Sequence, residues 1–476
     1  MNTQNSDNNG QEESFRDSIG TINEDGTRHW IFAKKPKGKL YNYRSWFAYS
    51  LLAILFAGPW IKIDGEPFLL INIIDSKFSI FGQVFWPQDI HLFAFAMITA
   101  VVFVVLFTVV FGRVFCGWMC PQTIFMEMVF RRIEYFIDGD FKHQKKLDKQ
   151  KWDAEKIRKR VIKHGIFFLI SVAIANTFLA YIIGSEELIK IQTDNPVDHI
   201  GGLTLLIVFS GVFYGVFSRF REQVCIAVCP YGRLQGVMLD RNSVVVAYNY
   251  VRGENRGKWK GKKENRVETE KGDCIDCGAC VDVCPTGIDI RNGTQLECVN
   301  CTACIDACDT MMKGVGLSPN LIGYYSENNL SDGKKFEFSA RIKAYVGVLL
   351  ILSMAMGGFI FGRTDVETSI LRTPGMLFMK TDNGSIKNLY NYKVVNKTNE
   401  EFDFEIRLVG IDGKIEMVGQ KLHVNKKESA EGAMFVIIPK EILTGGKTEI
   451  EFEVWSNGKK LESVETNFMG PDKYDM

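Results

Sequence analysis

Eight cysteines between Cys274 and Cys308 carry the strongest chemical signal in this chain. They fall in two runs, C-IDC-GAC-VDVC and C-VNC-TAC-IDAC, and each reads C-x2-C-x2-C-x3-C. Thiolates at this spacing hold a pair of [4Fe–4S] clusters, three cysteines of a run gripping one cubane while the fourth crosses to its neighbour. The pattern assigns Cys274, Cys277, Cys280 and Cys308 to one cluster, and Cys284, Cys298, Cys301 and Cys304 to the other. Structural zinc and disulfides are the competing uses. Zinc favours two separated C-x2-C pairs, whereas the repeated third and fourth cysteines suit a cubane.

The other four cysteines form a second repeat, FGRVF-C-GWM-C-P at Cys116 and Cys120 and FREQV-C-IAV-C-P at Cys225 and Cys229. Helical residues four apart share a face, so each pair aims two sulfurs in one direction. Pro121 and Pro230 disfavour helix at the preceding cysteine, ending one helix or starting another. Two facing dithiols offer four thiolates to a third cluster, soft sites for Cu(I), or a redox-active dithiol. Spacing leaves these three open. The plain alternative is small apolar cysteines buried among membrane helices, and duplication at corresponding positions argues against it.

The elements that must position these cysteines are mostly apolar. Five runs, at about residues 45–61, 92–111, 165–183, 200–217 and 344–361, each approach the ~20 residues that cross a bilayer as a helix. Loops 62–91 and 184–199 hold few basic residues (Lys62, Lys77, Lys190), whereas loop 112–164 holds thirteen, among them Arg131, Arg132 and Arg158. Cytoplasmic loops carry that excess. The count puts the basic N-terminal stretch around Lys34–Arg44 and the eight-cysteine segment inside, where thiols stay reduced. An odd number of crossings then leaves the C-terminus outside. No cleavable signal peptide is expected from the polar start MNTQNSDNNGQEESF. With a net charge of +1, no global basic field points to nucleic acid.

The expected organisation is a polar cytoplasmic tail (1–43), four transmembrane helices with the two CxxxCP motifs (44–240), a cytoplasmic ferredoxin-like domain (241–335), a fifth transmembrane helix (341–363) and an outer β-domain (365–476). In the last, Phe402, Phe404, Ile406 and Leu408 alternate with polar residues, as do Ile450, Phe452 and Val454; period two with Gly-containing breaks means strands and turns. About seven strands in ~110 residues suit an immunoglobulin-type sandwich. Two short apolar pieces, 67–74 and 78–86, read as interfacial or re-entrant. Residues 121–138 read as a helix along the inner membrane surface, with Arg131, Arg132 and Glu134 as a solvated charged side.

Softer candidates remain. His91 and His199, at the outer ends of two helices, suit a haem, copper or quinone contact in principle, and an interfacial polar role more simply. His143 and His164 read as solvated or lipid-facing, and His423 as structural. Met354, Met356, Met376 and Met379 suit copper in principle and flexible packing better. No phosphate loop or flavin or nicotinamide fingerprint is present, so an electron donor, a quinol or a soluble reductant, has to come from outside.

The whole assembly resembles the cytochrome c oxidase accessory protein family called CcoG, FixG or RdxA. The resemblance is carried by WPQDIH at 86–91, FGRVFCGWMCPQT at 111–123, VCPYGRLQ at 228–235, DVCPTGIDIRNG at 282–293 and LECVNCTACIDACD at 296–309. It implies a bacterial inner-membrane protein with two [4Fe–4S] clusters that reduces Cu(II) to Cu(I), alongside assembly factors of cbb3-type oxidase. On that reading Cys116, Cys120, Cys225 and Cys229 meet the copper. Two other readings stay open: a quinol-oxidising electron relay, which the layout also resembles, and a non-catalytic assembly scaffold.

Overall fold

In a computed structural model, the chain is described for residues 28–471 apart from 64, 73–76, 81, 87–88, 262–265, 267, 336, 363, 376, 382, 399, 420–421 and 444. Most of the expected polar tail, Pro87 and Gln88 of WPQDIH, residues 73, 74 and 81 of the two short apolar pieces, and Met376 lie outside the described residues.

Uncharged runs of Phe, Leu, Val and Ile can satisfy their backbone in lipid only as helices. Four helices are long and apolar enough to cross a membrane: His91–Phe111, Ala154–Ile183, Ile200–Phe220 and Ala340–Phe361. They contain four of the five expected runs. The remaining run, 45–61, falls in the helix Lys39–Ala57 up to Ala57 and leaves it at Gly58; this helix is not one of the four and carries Lys39 and Arg44 in its first half. Arg44 and Ser45 are buried there, and towards the other end the Tyr181 hydroxyl donates to Leu55 O at 2.8 Å.

The chain divides into two compact units. The first takes in the chain up to Ile61, a return at Pro67–Asp75, and His91–Met356; the second is Lys62–Glu66, Ser76–Ile90 and Gly357–Met476. In the first, both ferredoxin-type runs turn in the same way into a helix, Ala279–Asp282 after Gly278 and Ala303–Val315 after Thr302, each preceding residue in the left-handed region. Strands Val245–Tyr248 and Ile322–Tyr325 pair antiparallel beside them.

The helix expected over 121–138 is present as Pro121–Ile124, a π-helical segment Phe125–Phe130 and Arg131–Ile137. Its charges are not a solvated side. Arg131 and Glu134 are buried, with Arg131 on Glu127 at 2.8 Å and Arg221 on Glu134 at 2.6 Å. Arg132 lies over the rings of Tyr41 and Tyr49. The partners come from elements distant in sequence, so the pattern of this helix alone gives no sign of them.

The second unit has an antiparallel sheet in the order Lys414–Val418, Ser429–Ile438, Ile386–Asn396 and Val366–Arg372, with Met379–Lys380 also paired to Ile386–Asn396. A three-stranded sheet runs Glu405–Val409, Lys447–Ser456, Lys459–Met469. The expected period-two pattern buries Phe404, Ile406, Ile450, Phe452 and Val454 in one core shared by both sheets, where the Tyr390 and Phe452 rings meet edge to face at 5.8 Å.

The reading of 78–86 as a membrane piece is corrected. Strands Lys77–Ile80 and Gln83–Phe85 pair as a hairpin around Gly82 at φ +77°, and Val84 and Trp86 pack on Val395. Alternation, not overall apolarity, decides this stretch. Two buried lysines fasten it: Lys427 Nζ donates to Gly82 O at 3.1 Å, and Lys397 Nζ reaches Asp89 at 2.8 Å and Glu367 at 2.6 Å. Removing one partner of a buried pair strands the other charge, at about 3–5 kcal/mol. Lys397→Met is therefore expected to make residues 77–89 susceptible to protease in the full-length protein, at concentrations that leave wild type intact.

Candidate functional site

All twelve cysteines are free, and their neighbours sort them into three groups of four. Cys274, Cys277, Cys280 and Cys308 line one small hollow with Arg291, Met312 and Ile322. Cys304 senses Cys301, Cys298 and Cys284 of a second group, and after them Cys280 of the first. The Cys225 thiol senses Cys120, Cys116 and Cys229 in a third. Among the described residues no three His, Cys, Asp or Glu side chains converge as the ligands of one ion would. A cubane spreads its thiolates over four irons, and an arrangement of four separated sulfurs around a hollow fits it.

Burial pushes the Cys280, Cys298 and Cys308 thiols up to about 12 and Cys301 to about 11. These groups are protonated at neutral pH in the metal-free chain, so iron–sulfur loading must release protons. Cys277 is the exposed member of the first hollow, its edge towards solvent.

The two CxxxCP segments are built alike at their ends. Cys116 lies in the helix Val114–Trp118, Cys225 in the π-helical turn Val224–Val228, and Cys120 and Cys229 are extended residues capping the helices that Pro121 and Pro230 begin. Proline at the first helical position costs no hydrogen bond and fixes the restart. Each pair thus straddles a backbone break.

The third group adjoins the second. Cys116 shares one apolar cluster with Val283, Val299, Cys301 and Ala303, and Cys304 packs against it. Glycine at 117 permits this, because a Cβ there would run into Val299 O. Two buried guanidiniums bracket the junction. Arg44 donates from Nε to Gly117 O at 2.7 Å and its charge favours the Cys301 thiolate; among the described residues its Nη2 has no hydrogen-bond acceptor. Arg113 donates to Gln235 Oε1 at 3.0 Å, and its charge acts on both Cys116 and Cys298. A buried cation facing thiols, with one donor unmatched, fits an anionic iron–sulfur cluster at the second group.

Gln235 completes the junction. It is fully buried, accepts from Cys116 Sγ at 3.1 Å, and gives its amide to Thr108, which in turn meets Tyr231 OH at 3.0 Å. Sequence reasoning passed over Arg44, Arg113 and Gln235. The signal was there in part: Arg113 and Gln235 both stand inside the quoted motif stretches around the cysteines.

Of the softer candidates, His91 is exposed, and His199 lies 3.5 Å from Asp194. His143 is exposed, and His423 hydrogen-bonds Asp403 at 2.8 Å. Met354 is exposed on its helix, and Met356 and Met379 are half-buried. His164 is corrected: it is half-buried and bonded through Nδ1 to the Tyr214 hydroxyl at 3.0 Å, a partner on another helix.

Comparison with known proteins agrees with this geometry. A model of a 4Fe-4S dicluster domain matches residues 220–327, one of a 4Fe-4S binding domain matches 93–149, and one of the IG-like fold at the C-terminal of FixG matches 356–471. Protein RdxB of Cereibacter sphaeroides is 35% identical over 398 residues, covering 80% of this chain and 82% of its own. Protein RdxA of the same organism is 34% identical over 404 residues, 80% of this chain and 83% of its own. Nitrogen fixation protein FixG of Rhizobium meliloti is 32% identical over 423 residues, 81% of this chain and 80% of its own.

The bracketing charges make a prediction about redox potential. A cation beside a cluster favours the reduced, more negative state, so Arg113→Gln is expected to shift one midpoint potential negative. The expected size is on the order of 50 mV, about 1 kcal/mol for a one-electron couple. A redox titration followed by EPR reads it, with iron per chain confirming that the variant remains loaded.

Proposed function

Because the chain belongs to the FixG/RdxA family of iron–sulfur oxidoreductases, we propose that it is a membrane-bound cupric reductase, converting Cu(II) to Cu(I) in support of cbb3-type cytochrome c oxidase assembly. The observation that carries the reading is the third cysteine group and the packing of its Cys116 against Cys301 and Cys304. Clusters held by the eight ferredoxin-type cysteines supply single electrons when bound, and copper takes one.

The chain's own residues account for the rest. Cys116, Cys120, Cys225 and Cys229 offer soft thiolates, which favour Cu(I) over Cu(II) and so draw the reduction forward. Burial raises the Cys116 thiol and, to about 12, the Cys225 thiol; Arg113 opposes this at Cys116 and Thr123 at Cys225. Gln235 fixes the direction of the Cys116 sulfur. Gly232 lets the second motif close up, since a Cβ there would crowd Cys225 O and the Arg113 guanidinium.

In this reading the protein sits in a bacterial inner membrane as a five-crossing bundle, with Lys39–Ala57 as the first crossing and an outer immunoglobulin-like sandwich. Support comes from the second unit, which joins residues 76–90 to 357–476. The hairpin at 77–86 packs on Val395 of the C-terminal sheet, so both lie on one side of a bilayer, and the four apolar helices between them return the chain to that side. Oxidase assembly factors are the expected partners of the outer domain.

A second reading has its own observation. The 4Fe-4S binding model over 93–149 includes Cys116 and Cys120, which favours a third cubane on the CxxxCP cysteines. Iron and acid-labile sulfide separate the two, since about eight irons per chain fits two clusters and about twelve fits three.

The functional test changes Cys116, Cys120, Cys225 and Cys229 together to Ser in the purified full-length protein. Cu(I) production from dithionite-reduced protein is expected to fall by at least about tenfold while iron stays near eight per chain. Copper turnover equal to wild type would remove the CxxxCP cysteines from the reaction.

A further inference from the structure

A cavity of about 650 Å³ lies beside the inner ends of two apolar helices, away from the cysteine groups just described. Its walls include Trp30, Trp152, Phe167, His164 and Tyr214. The size falls within the range of small-molecule sites. Aromatic rings and the hydrogen-bonded His164–Tyr214 pair share the lining with a set of charged side chains.

The inner cations of this set each have a partner within the protein. Lys163 is held by Asp138 at 2.6 Å and faces Glu134 at 3.6 Å. Lys156 donates to two main-chain carbonyls, of Asp148 and Gln150, and Arg160 reaches the Asp148 carboxylate at 3.2 Å. Burial works to raise the Glu134 carboxyl, but Arg221, then Lys163 and Arg131, outweigh it and hold it below the ordinary range. Arg219, exposed at the rim, is the cation of this wall for which no such partner is seen among the described residues. A phosphate or other anion would have to displace these contacts, because the hydrogen-bonding capacity of the inner cations is taken up by their neighbours. The cavity suits a neutral, flat ring with hydrogen-bonding oxygens.

Its place in the molecule narrows this further. His164 and Tyr214 stand on the helices Ala154–Ile183 and Ile200–Gly215, both membrane-crossing candidates, so an apolar tail has lipid beside it. The guanidiniums of Arg28 and Arg221 lie 4.3 and 5.1 Å from the Trp30 ring. Arg221 pairs with Glu134 on the cavity wall. One turn back on the Glu134 helix, Arg131 points both Nη atoms at Pro285 O, at 3.5 and 3.4 Å, the residue after Cys284. Glu134 on the wall and Arg131 therefore link the cavity, along one helix, to the residue that follows Cys284 of the second cysteine group.

We propose that this cavity binds the head group of a membrane hydroquinone, the donor of the electrons the protein uses. The inference rests on the iron–sulfur reductase reading for its purpose and on the cavity for its chemistry. Oxidation of a hydroquinone breaks two O–H bonds, forms two C=O bonds and releases two protons and two electrons. With His164 Nδ1–H donating to the Tyr214 oxygen, Nε2 takes the protons one at a time and passes them to water at the rim; the electrons leave singly to one-electron iron–sulfur acceptors of the kind these cysteines hold. Tyr214 orients the imidazole.

The test uses full-length protein in nanodiscs of phosphatidylcholine, with a short-chain naphthoquinone and its hydroquinone as probes. The quinone is expected to quench tryptophan fluorescence saturably, and Trp30→Phe with Trp152→Phe to remove most of that quench. His164→Phe and Tyr214→Phe should each weaken binding by about tenfold. The hydroquinone should bleach the visible absorption of the loaded wild-type protein, and more slowly in both variants, with iron and sulfide per chain checking that they are loaded. Absence of saturable quenching overturns the proposal, as does binding indifferent to His164→Phe and Tyr214→Phe. Displacement of the quinone by phosphatidylglycerol but not by excess phosphatidylcholine would assign the cavity to an anionic lipid and overturn it as well. Quinone binding without copper reduction by dithionite-reduced protein counts against the cupric reductase alone; copper reduction without quinone binding counts against this site alone.

Discussion

The close approach of Gly117 to Val299 is the contact on which the arrangement of cysteines depends. It brings the backbone of the first CxxxCP motif against the segment carrying Cys298 and Cys301, at a separation no residue with a Cβ allows. Arg44 locks the junction from one side through Gly117 O, and the charge of Arg113 acts on both Cys116 and Cys298. Burying two guanidiniums among thiols is unfavourable unless the thiols are ionised or carry a negatively charged group. The junction is thus most stable in the metal-loaded state, and loading, folding and proximity of the two thiol systems are coupled.

Much of the chemistry was legible because ligand spacing is a local property. The two C-x2-C-x2-C-x3-C runs group their cysteines by short loops, and the crossing of Cys308 to the hollow of Cys274, Cys277 and Cys280 follows from the helix Ala303–Val315 that carries it. The proline breaks after Cys120 and Cys229 were legible for the same reason. Period-two alternation likewise revealed Phe404, Ile406 and the Ile450–Val454 stretch.

What stayed hidden depends on partners far apart in the chain. Arg131, Glu134 and Lys163 look like surface charges in their own helices, as does Arg221 in the turn after another, and burial is tolerable only because they meet. His164 looked solvated because Tyr214 lies fifty residues away. The stretch 78–86 looked like a membrane piece because its binding lysines, Lys397 and Lys427, come more than 300 residues later. The helix Lys39–Ala57 is a mixed case: its second half reads as a membrane run, and its first half is committed to Gly117 and, through the backbone amides of Leu40 and Tyr41, to Asp306.

The central claim is that copper is reduced at thiols coupled to the iron–sulfur centres of the same chain. Full-length protein reduced by dithionite, freed of excess reductant and mixed with Cu(II), is followed by EPR, which detects reduced clusters and Cu(II) in one sample. The account predicts that the two signals disappear together, one Cu(II) for each cluster electron. Persistence of both signals, or loss of Cu(II) signal with the clusters still reduced, would contradict it.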